Sequence, residues 1–441
     1  MLLISTYELG RQPFGLASPA AWLRAAGHDV TLADLSRGPL PQAATERADL
    51  IGFFLPMHTA TRLFLRVVDR VRAANPRAHL CGYGLYAPLN ADLLRRAGVK
   101  TIAGGEFEQP LVDLARALEA GAEAHVPAIS LARQQFLVPD RSGLPPLGSY
   151  AQLVANGAAR RVGYTEASRG CKHLCRHCPV VPVYRGAFRV VQQEVVLEDI
   201  RRQAAAGAEH ITFGDPDFFN GPGHAVAIVE ALHREFPALT YDVTIKIEHL
   251  LNHRNLVPLL KTTGCLFVTS AVESLDDTVL ERLAKGHTRA QFIEALLLMR
   301  AAGLPMAPTF IPFTPWTTRE SYREFLSALL KLDLAAEVAP IQLAIRLLIP
   351  EGSLLLDLPE VRAMIGSFDA RALCYPWRNP DPTVDALSTA IQETIKREER
   401  RRATRLEIFR KIWHLAEAGD FPDVPRPSRA TIPYLTEPWY C

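Results

Sequence analysis

Cysteine is scarce in this chain, seven among 441 residues and an odd number in all. A scaffold organised by disulfides is therefore excluded, and the thiols point to metal or thiol chemistry in a reducing compartment. Long apolar runs are missing too. No stretch reaches the roughly 18 apolar residues of a membrane span, and the opening Met1-Leu-Leu-Ile-Ser-Thr-Tyr-Glu has no basic leader, so a cytoplasmic protein is expected. Charge of one sign is also lacking. The 49 Lys and Arg against 47 Asp and Glu leave a net charge of +2, which offers no basic domain for an obligatory nucleic-acid partner. The densest run, Lys396 to Arg405, reads as a solvated helix face. With 48% hydrophobic and 22% charged residues the chain has a core to build, and its length suits two or three domains.

Residues 1–125 alternate short apolar runs with amphipathic stretches. Leu2–Ser5, Val30–Ala33, Leu50–Leu55, His79–Gly82 and Thr101–Ala103 read as strands; Ala17–Ala26, Thr61–Ala74, Ala91–Ala97 and Gln109–Ala120 read as helices. That alternation predicts a doubly wound parallel sheet, which binds ligands beyond its strand C-termini. Residues 126–158, with Pro127, Pro139, Pro145 and Pro146, read as a linker. Over residues 159–350 the alternation resumes, with strands at Val162–Thr165, Ile211–Phe213, Tyr241–Ile247, Leu266–Ala271, Met306–Ile311 and Ile341–Leu348. About six βα units are too few for a closed eight-fold barrel and predict an open, partial one. Residues 351–441 read as mainly helical, notably Val384–Gly419, ahead of a Pro-rich tail.

What the chain does have is one tight cluster of thiols. Thr165-Glu-Ala-Ser-Arg-Gly-Cys171-Lys-His-Leu-Cys175-Arg-His-Cys178 sets three cysteines at CxxxCxxC spacing in a loop after a strand. A [4Fe–4S] cube normally takes four cysteines, so three leave one iron open. S-adenosylmethionine (SAM) can chelate that corner through its amino and carboxylate groups, and an electron then breaks a C–S bond. A zinc site recruiting His173 or His177 is the rival reading. Zinc usually takes paired CxxC knuckles, however, and there is no second knuckle. An electron carrier or iron–sulfur sensor is the non-enzymatic rival, although a carrier normally ligates every iron with protein.

On this motif the chain resembles the radical SAM superfamily, in the branch with an N-terminal cobalamin (B12)-binding-like domain. Gly15-Leu-Ala, Leu23-Arg-Ala-Ala-Gly27-His28-Asp29-Val30 and Ala33-Asp34 look like the opening of that domain, and Gly104-Gly-Glu-Phe-Glu108 like its closing turn. The resemblance covers about residues 1–350. It implies an α/β protein: a flavodoxin-like domain, a partial (β/α)6 radical SAM barrel and a helical C-terminal region. It also implies a [4Fe–4S] cluster on Cys171, Cys175 and Cys178, with SAM as cofactor and cobalamin left open, because no DxHxxG motif appears and His28 and His58 read first as structural.

Further site residues follow from the same resemblance. His177 takes the aromatic place before the third cysteine, near the adenine. Gly214-Asp215-Pro216-Asp217 takes the place of a Gly-Gly-Glu turn that holds the SAM amino group, against helix capping by Asp217 or Asn220. Ser270 and Glu273 sit in a Thr269-Ser-Ala-Val-Glu-Ser274 element expected near the ribose and carboxylate. Lys246 and Arg346 are cations among apolar neighbours, suited to the SAM carboxylate or to snorkelling. Thr309-Phe-Ile-Pro312 resembles the element that backs the adenine, without its usual glycines.

The implied partners are a small-molecule substrate and a reductant such as flavodoxin or ferredoxin. With cobalamin, methyl transfer is the expected class. Without it, 5′-deoxyadenosyl chemistry or 3-amino-3-carboxypropyl transfer to a soft heteroatom such as arsenic is expected. The end, Leu435-Thr-Glu437-Pro-Trp-Tyr-Cys441, resembles radical SAM proteins named for a Cys-(Sec or Cys)-Ala-Glu-Pro tail. That resemblance makes Cys441 a candidate soft-atom or redox thiol and implies a native chain that runs on past it.

Overall fold

The computed structural model describes residues 1–123, 125–155, 157–422 and 432–437. Cys441 lies outside the described residues. Five parallel strands, β1 (Leu2–Ser5), β2 (Thr31–Asp34), β3 (Leu50–Phe54), β4 (His79–Tyr83) and β5 (Thr101–Gly105), form the first sheet in the order β2-β1-β3-β4-β5. β1 and β3 are buried at every residue because helices cover both faces, the usual condition of a parallel sheet. One covering helix, His58–Ala74, turns Ala60, Thr61, Phe64, Val68 and Val71 inward at helical spacing. The predicted linker holds more structure than its prolines suggest. β6 (Ile129–Ser130) extends the first sheet, and β7 (Gln152–Ala155) begins the second.

The second sheet curves as an open barrel. β7 pairs antiparallel with β8 (Ala158–Thr165). Short β9 (Ser168–Gly170) and β10 (Phe188–Val190) form their own hairpin beyond it. β11 (His210–Phe213), β12 (Thr240–Thr244), β13 (Cys265–Glu273) and β14 (Met306–Phe310) continue in parallel from β8. Alternation decides the faces: Tyr241 and Val243 are fully buried under helices, whereas Asp242 and Thr244 line the hollow inner side. The last strand comes from the C-terminus, where β15 (Tyr434–Leu435) pairs with β7 and closes that edge.

The sixth barrel strand expected at Ile341–Leu348 is corrected to a 3₁₀ turn, Pro340–Leu343, and a single parallel bridge between Phe313 and Arg346. Pro340 opens that turn and lacks the N–H a strand interior needs. Gln342 meanwhile uses its side chain, accepting from Phe310 N at 2.9 Å where a strand would have paired. The long helical reading over Val384–Gly419 becomes two helices, Pro382–Arg400 and Arg405–Leu415, the second opened by a Thr404–Glu407 capping box.

Candidate active site

The three clustered cysteines lie where β9 ends, and the loop is pinned from several elements. Asp215, just past β11, accepts from Ser168 Oγ at 2.6 Å and from Ala167 N at 2.9 Å. The Asn220 side chain donates to Gly170 O at 3.2 Å and accepts from Lys172 N at 3.3 Å. Gly170 has φ +75°, and a Cβ there would lie 2.3 Å from the Tyr184 ring, so only glycine fits. Arg176 N donates to Leu283 O at 2.9 Å, and Cys178 N to Cys175 O at 3.1 Å. The other described cysteines sit elsewhere: Cys81 in β4, Cys265 at the start of β13, and Cys374 in the C-terminal region.

Burial raises the Cys171 thiol and pushes Cys178 up to about 12. Cations stand against that trend. Lys246 Nζ lies 3.7 Å from Cys175 Sγ. Lys285 is buried; burial alone would lower its pKa, but Glu273 and the Cys175 and Cys178 sulfurs hold it above its ordinary value. Three soft donors, no fourth cysteine among the described residues beside them, and two buried ammonium groups fit an anionic iron–sulfur cluster with one open corner.

The structure brings some of the expected residues together. His177 Nε2 is 3.1 Å from Glu273 Oε1, and Lys285 Nζ reaches the same oxygen at 3.4 Å. Burial would raise the Glu273 carboxyl, yet Lys285 and His177 outweigh it and hold the group at about 2. Glu273 is also bent into the left-handed region, φ +68°, where β13 bulges away from β14. A Cβ on Gly214 would lie 1.8 Å from Tyr164 Oη, so that strand end is kept bare for close approach.

Other expected residues are already engaged. Asp215 holds the cysteine loop as described. Asp217 caps the Phe218–Asn220 turn and leans on His249. Ser270 Oγ donates to Ile245 O at 2.8 Å, tying two strand ends. Arg346 pairs with Asp385 at 2.6 Å and stacks on Trp377, which ties the barrel to the C-terminal helices. His28 pairs with Glu119 at 2.8 Å, and His58 Nε2 lies against Ala372 O, so neither is a free ligand.

Arg169 carries the largest contribution that sequence reasoning missed. Two residues before Cys171, its buried guanidinium meets Glu108 at 2.7 Å, Glu166 at 2.7 Å and Glu106 at 3.3 Å. Phe14, Phe107 and Phe136 surround it within 6 Å. The first sheet's closing turn is thereby tied to the cysteine loop. Three carboxylates share one cation, so Glu106 is raised to about 7, by burial first, with the Arg169 charge only partly opposing it. An arginine beside a cysteine motif and the Glu106/Glu108 pair were the available signals.

Two cavities meet at this point. The barrel lumen encloses about 1130 Å³ and is lined by Thr212, Thr244, Thr269, Thr309 and Gln342, with Glu437 of the tail segment. A smaller crevice of about 230 Å³ lies between the first sheet's loops and the cysteine strand, lined by Glu8, Phe54, Met57, Phe107 and Tyr184. Arg11, Gly214 and Pro216 border both, and the Arg11 guanidinium stacks on Tyr164 at 4.9 Å.

Residues 165–329 match the radical SAM superfamily. The hopanoid C-3 methylase of Methylococcus capsulatus is 26% identical over 333 residues, covering 71% of this chain and 64% of the methylase. The ribosomal protein uS12 methylthiotransferase of Geobacter sulfurreducens is 24% identical over 180 residues, 39% of this chain and 40% of its own length. The chain thus spans less than two thirds of either curated relative. In fold it is similar to the cobalamin-dependent radical enzyme OxsB with aqua-cobalamin and SAM bound, with TM-score 0.73, 15% identity, and coverage of 95% of this chain and 71% of that one. It is also similar to the radical SAM methyltransferase TsrM from Kitasatospora setae with tryptophan and a SAM analogue bound, with TM-score 0.68, 17% identity and 88% coverage of both chains. No helix among the described residues is long and apolar enough to cross a membrane. Residues 165–329 thus carry a radical SAM domain, the domain of enzymes that use a [4Fe–4S] cluster and SAM, and the chain shares the fold of OxsB and TsrM.

Proposed function

We propose that Cys171, Cys175 and Cys178 hold the [4Fe–4S] cluster and that the enzyme cleaves SAM reductively to modify a small molecule in the barrel lumen. The observation that carries this is the convergence of three thiols, with the buried Lys246 and Lys285 beside them, in a loop held by Asp215, which itself lines the large cavity. When bound, the cluster supplies one electron that breaks a C–S bond of SAM. The two lysines hold positive charge against the thiolates. Glu273 is ionised at neutral pH and fixed by Lys285 and His177, which suits it to accept from the ribose or the ammonium of SAM. Lumen threonines offer hydroxyl groups to a polar substrate. The functional units in this reading are residues 1–125, the connecting segment 126–158, the barrel 159–350 and the C-terminal region.

Methyl transfer through cobalamin is a second reading, favoured by the methylase relative and the shared fold. The crevice between the first sheet's loops and the cysteine strand, which meets the lumen at Arg11, Gly214 and Pro216, is the place a corrin would take, beyond the C-termini of the parallel strands. Anaerobic reconstitution tests both readings. The protein should bind about four irons, and Cys171→Ala, Cys175→Ala and Cys178→Ala should each lose them. Reduced protein should cleave SAM, and product analysis with and without cobalamin separates the two classes. Zinc with sulfur ligands and no iron would sink the proposal.

A further inference from the structure

His173, His249 and Asp217 form a cluster that the reaction proposed above does not use. His173 lies within the cysteine loop, His249 on the helix Ile247–Asn252 after β12, and Asp217 on the turn after β11. Their ligating atoms all fall within 4.8 Å of one another, and Asp217 and His249 are buried. The two Nε2 atoms face each other at 3.2 Å, and Asp217 Oδ2 is 3.6 Å from His173 Nε2. Ligands on one tetrahedral zinc, with Zn–N near 2.0–2.1 Å, stand about 3.3 Å apart.

A second observation separates this trio from an ordinary hydrogen-bonded one. Asp217 Oδ2 and His249 Nδ1 form a buried ion pair at 2.7 Å without the alignment of a hydrogen bond, and neither atom has a hydrogen-bond partner. Buried polar atoms in a folded protein are rarely left so. On the far side of the His173 ring, Glu248 Oε2 lies 3.6 Å from Nδ1. Carboxylates stand in that position to orient metal-ligating histidines.

We infer that His173, His249 and Asp217 bind one divalent first-row transition ion through two imidazole nitrogens and a carboxylate, at a site separate from the three thiols. Two nitrogens and one oxygen suit zinc or ferrous iron, and one coordination position stays open for solvent or a substrate heteroatom.

The test adds zinc to anaerobically reconstituted, cluster-loaded protein and measures bound zinc, iron and sulfide after dialysis. One zinc per chain is expected beyond the cluster iron. His249→Ala and Asp217→Asn should each weaken zinc binding by ~10- to 100-fold or more while iron stays bound. Zinc-edge X-ray absorption on the unmutated protein supplies a readout that does not depend on the variants folding. Nitrogen and oxygen neighbours with imidazole scattering are expected. No stoichiometric zinc, sulfur in the zinc shell, or zinc retained unchanged in both variants would overturn the site. A selective loss of SAM binding in Asp217→Asn, with zinc unaffected, would also overturn it and reassign the carboxylate to the SAM ammonium. Iron content and SAM cleavage report on the cluster itself, so failure of the zinc site is distinguishable from failure of the proposed reaction.

Discussion

At the scale of single residues, the buried Arg169 and its three carboxylates are the most consequential feature. Removing one partner of a buried ion network leaves charge without compensation. Arg169→Met is therefore expected to cost ~3–5 kcal/mol, read as a lower urea midpoint, and to reduce bound iron. A change below 1 kcal/mol would mean that the carboxylates are neutral in the fold. Glu106 adds a pH signature. Its carboxyl ionises near 4.5 when unfolded and near 7 in the fold, so between those values the folded chain keeps a proton that the unfolded chain has released. The stability that Glu106 contributes is full below about 4.5 and is lost as pH rises through 7. Glu106→Gln should flatten that fall in urea titrations from pH 4.5 to 8, and an unaltered slope would assign it to other groups.

At the scale of elements, β9 and β15 do work out of proportion to their length. Gly170 ends β9 at positive φ with Tyr184 against it, so Gly170→Ala combines backbone strain with a clash. Most bound iron should be lost after reconstitution while far-ultraviolet dichroism stays near that of the parent; full iron loading would show that the loop adapts. β15 closes the barrel edge through Leu435 and Tyr434, and Ile432 packs into the cluster of Leu153, Val162 and Phe267. Deleting residues 432–441 should lower Tm and open β7 to proteolysis but leave the cluster iron in place, because the cysteine loop takes its contacts from β11 and from the chain around Leu283. Loss of iron in that truncation would tie the tail to the cluster instead.

At the scale of the whole molecule, the cysteine loop is where both sheets meet, so cluster binding and global stability are linked. Because burial keeps Cys171 and Cys178 protonated, cluster assembly must release protons. Iron incorporation at fixed sulfide should therefore rise between pH 7 and 8.5, and the loaded protein should melt higher than the cluster-free one. Assembly that slows as pH rises would contradict this.

The sequence by itself determined the alternation of strands and helices, the open barrel and the place of the three thiols, because period and spacing are local properties that survive without neighbours. It could not determine the sixth barrel strand, where Pro340 and the Gln342 side chain overrode an apolar run, nor the strands hidden in a proline-rich linker. Lys246 and Glu273 were legible as polar residues at strand ends, whereas Arg169, Lys285 and His249 were not. Their roles arise from partners distant in the chain, as with Arg169 and Glu108, 61 residues apart, and His249 and His173, 76 apart. Asp215 and Ser270 likewise were legible as polar residues in motif-like turns, but only the packed structure decided that they bind the protein's own backbone and side chains. A motif states which atoms are available; burial and the surrounding charges decide what those atoms do.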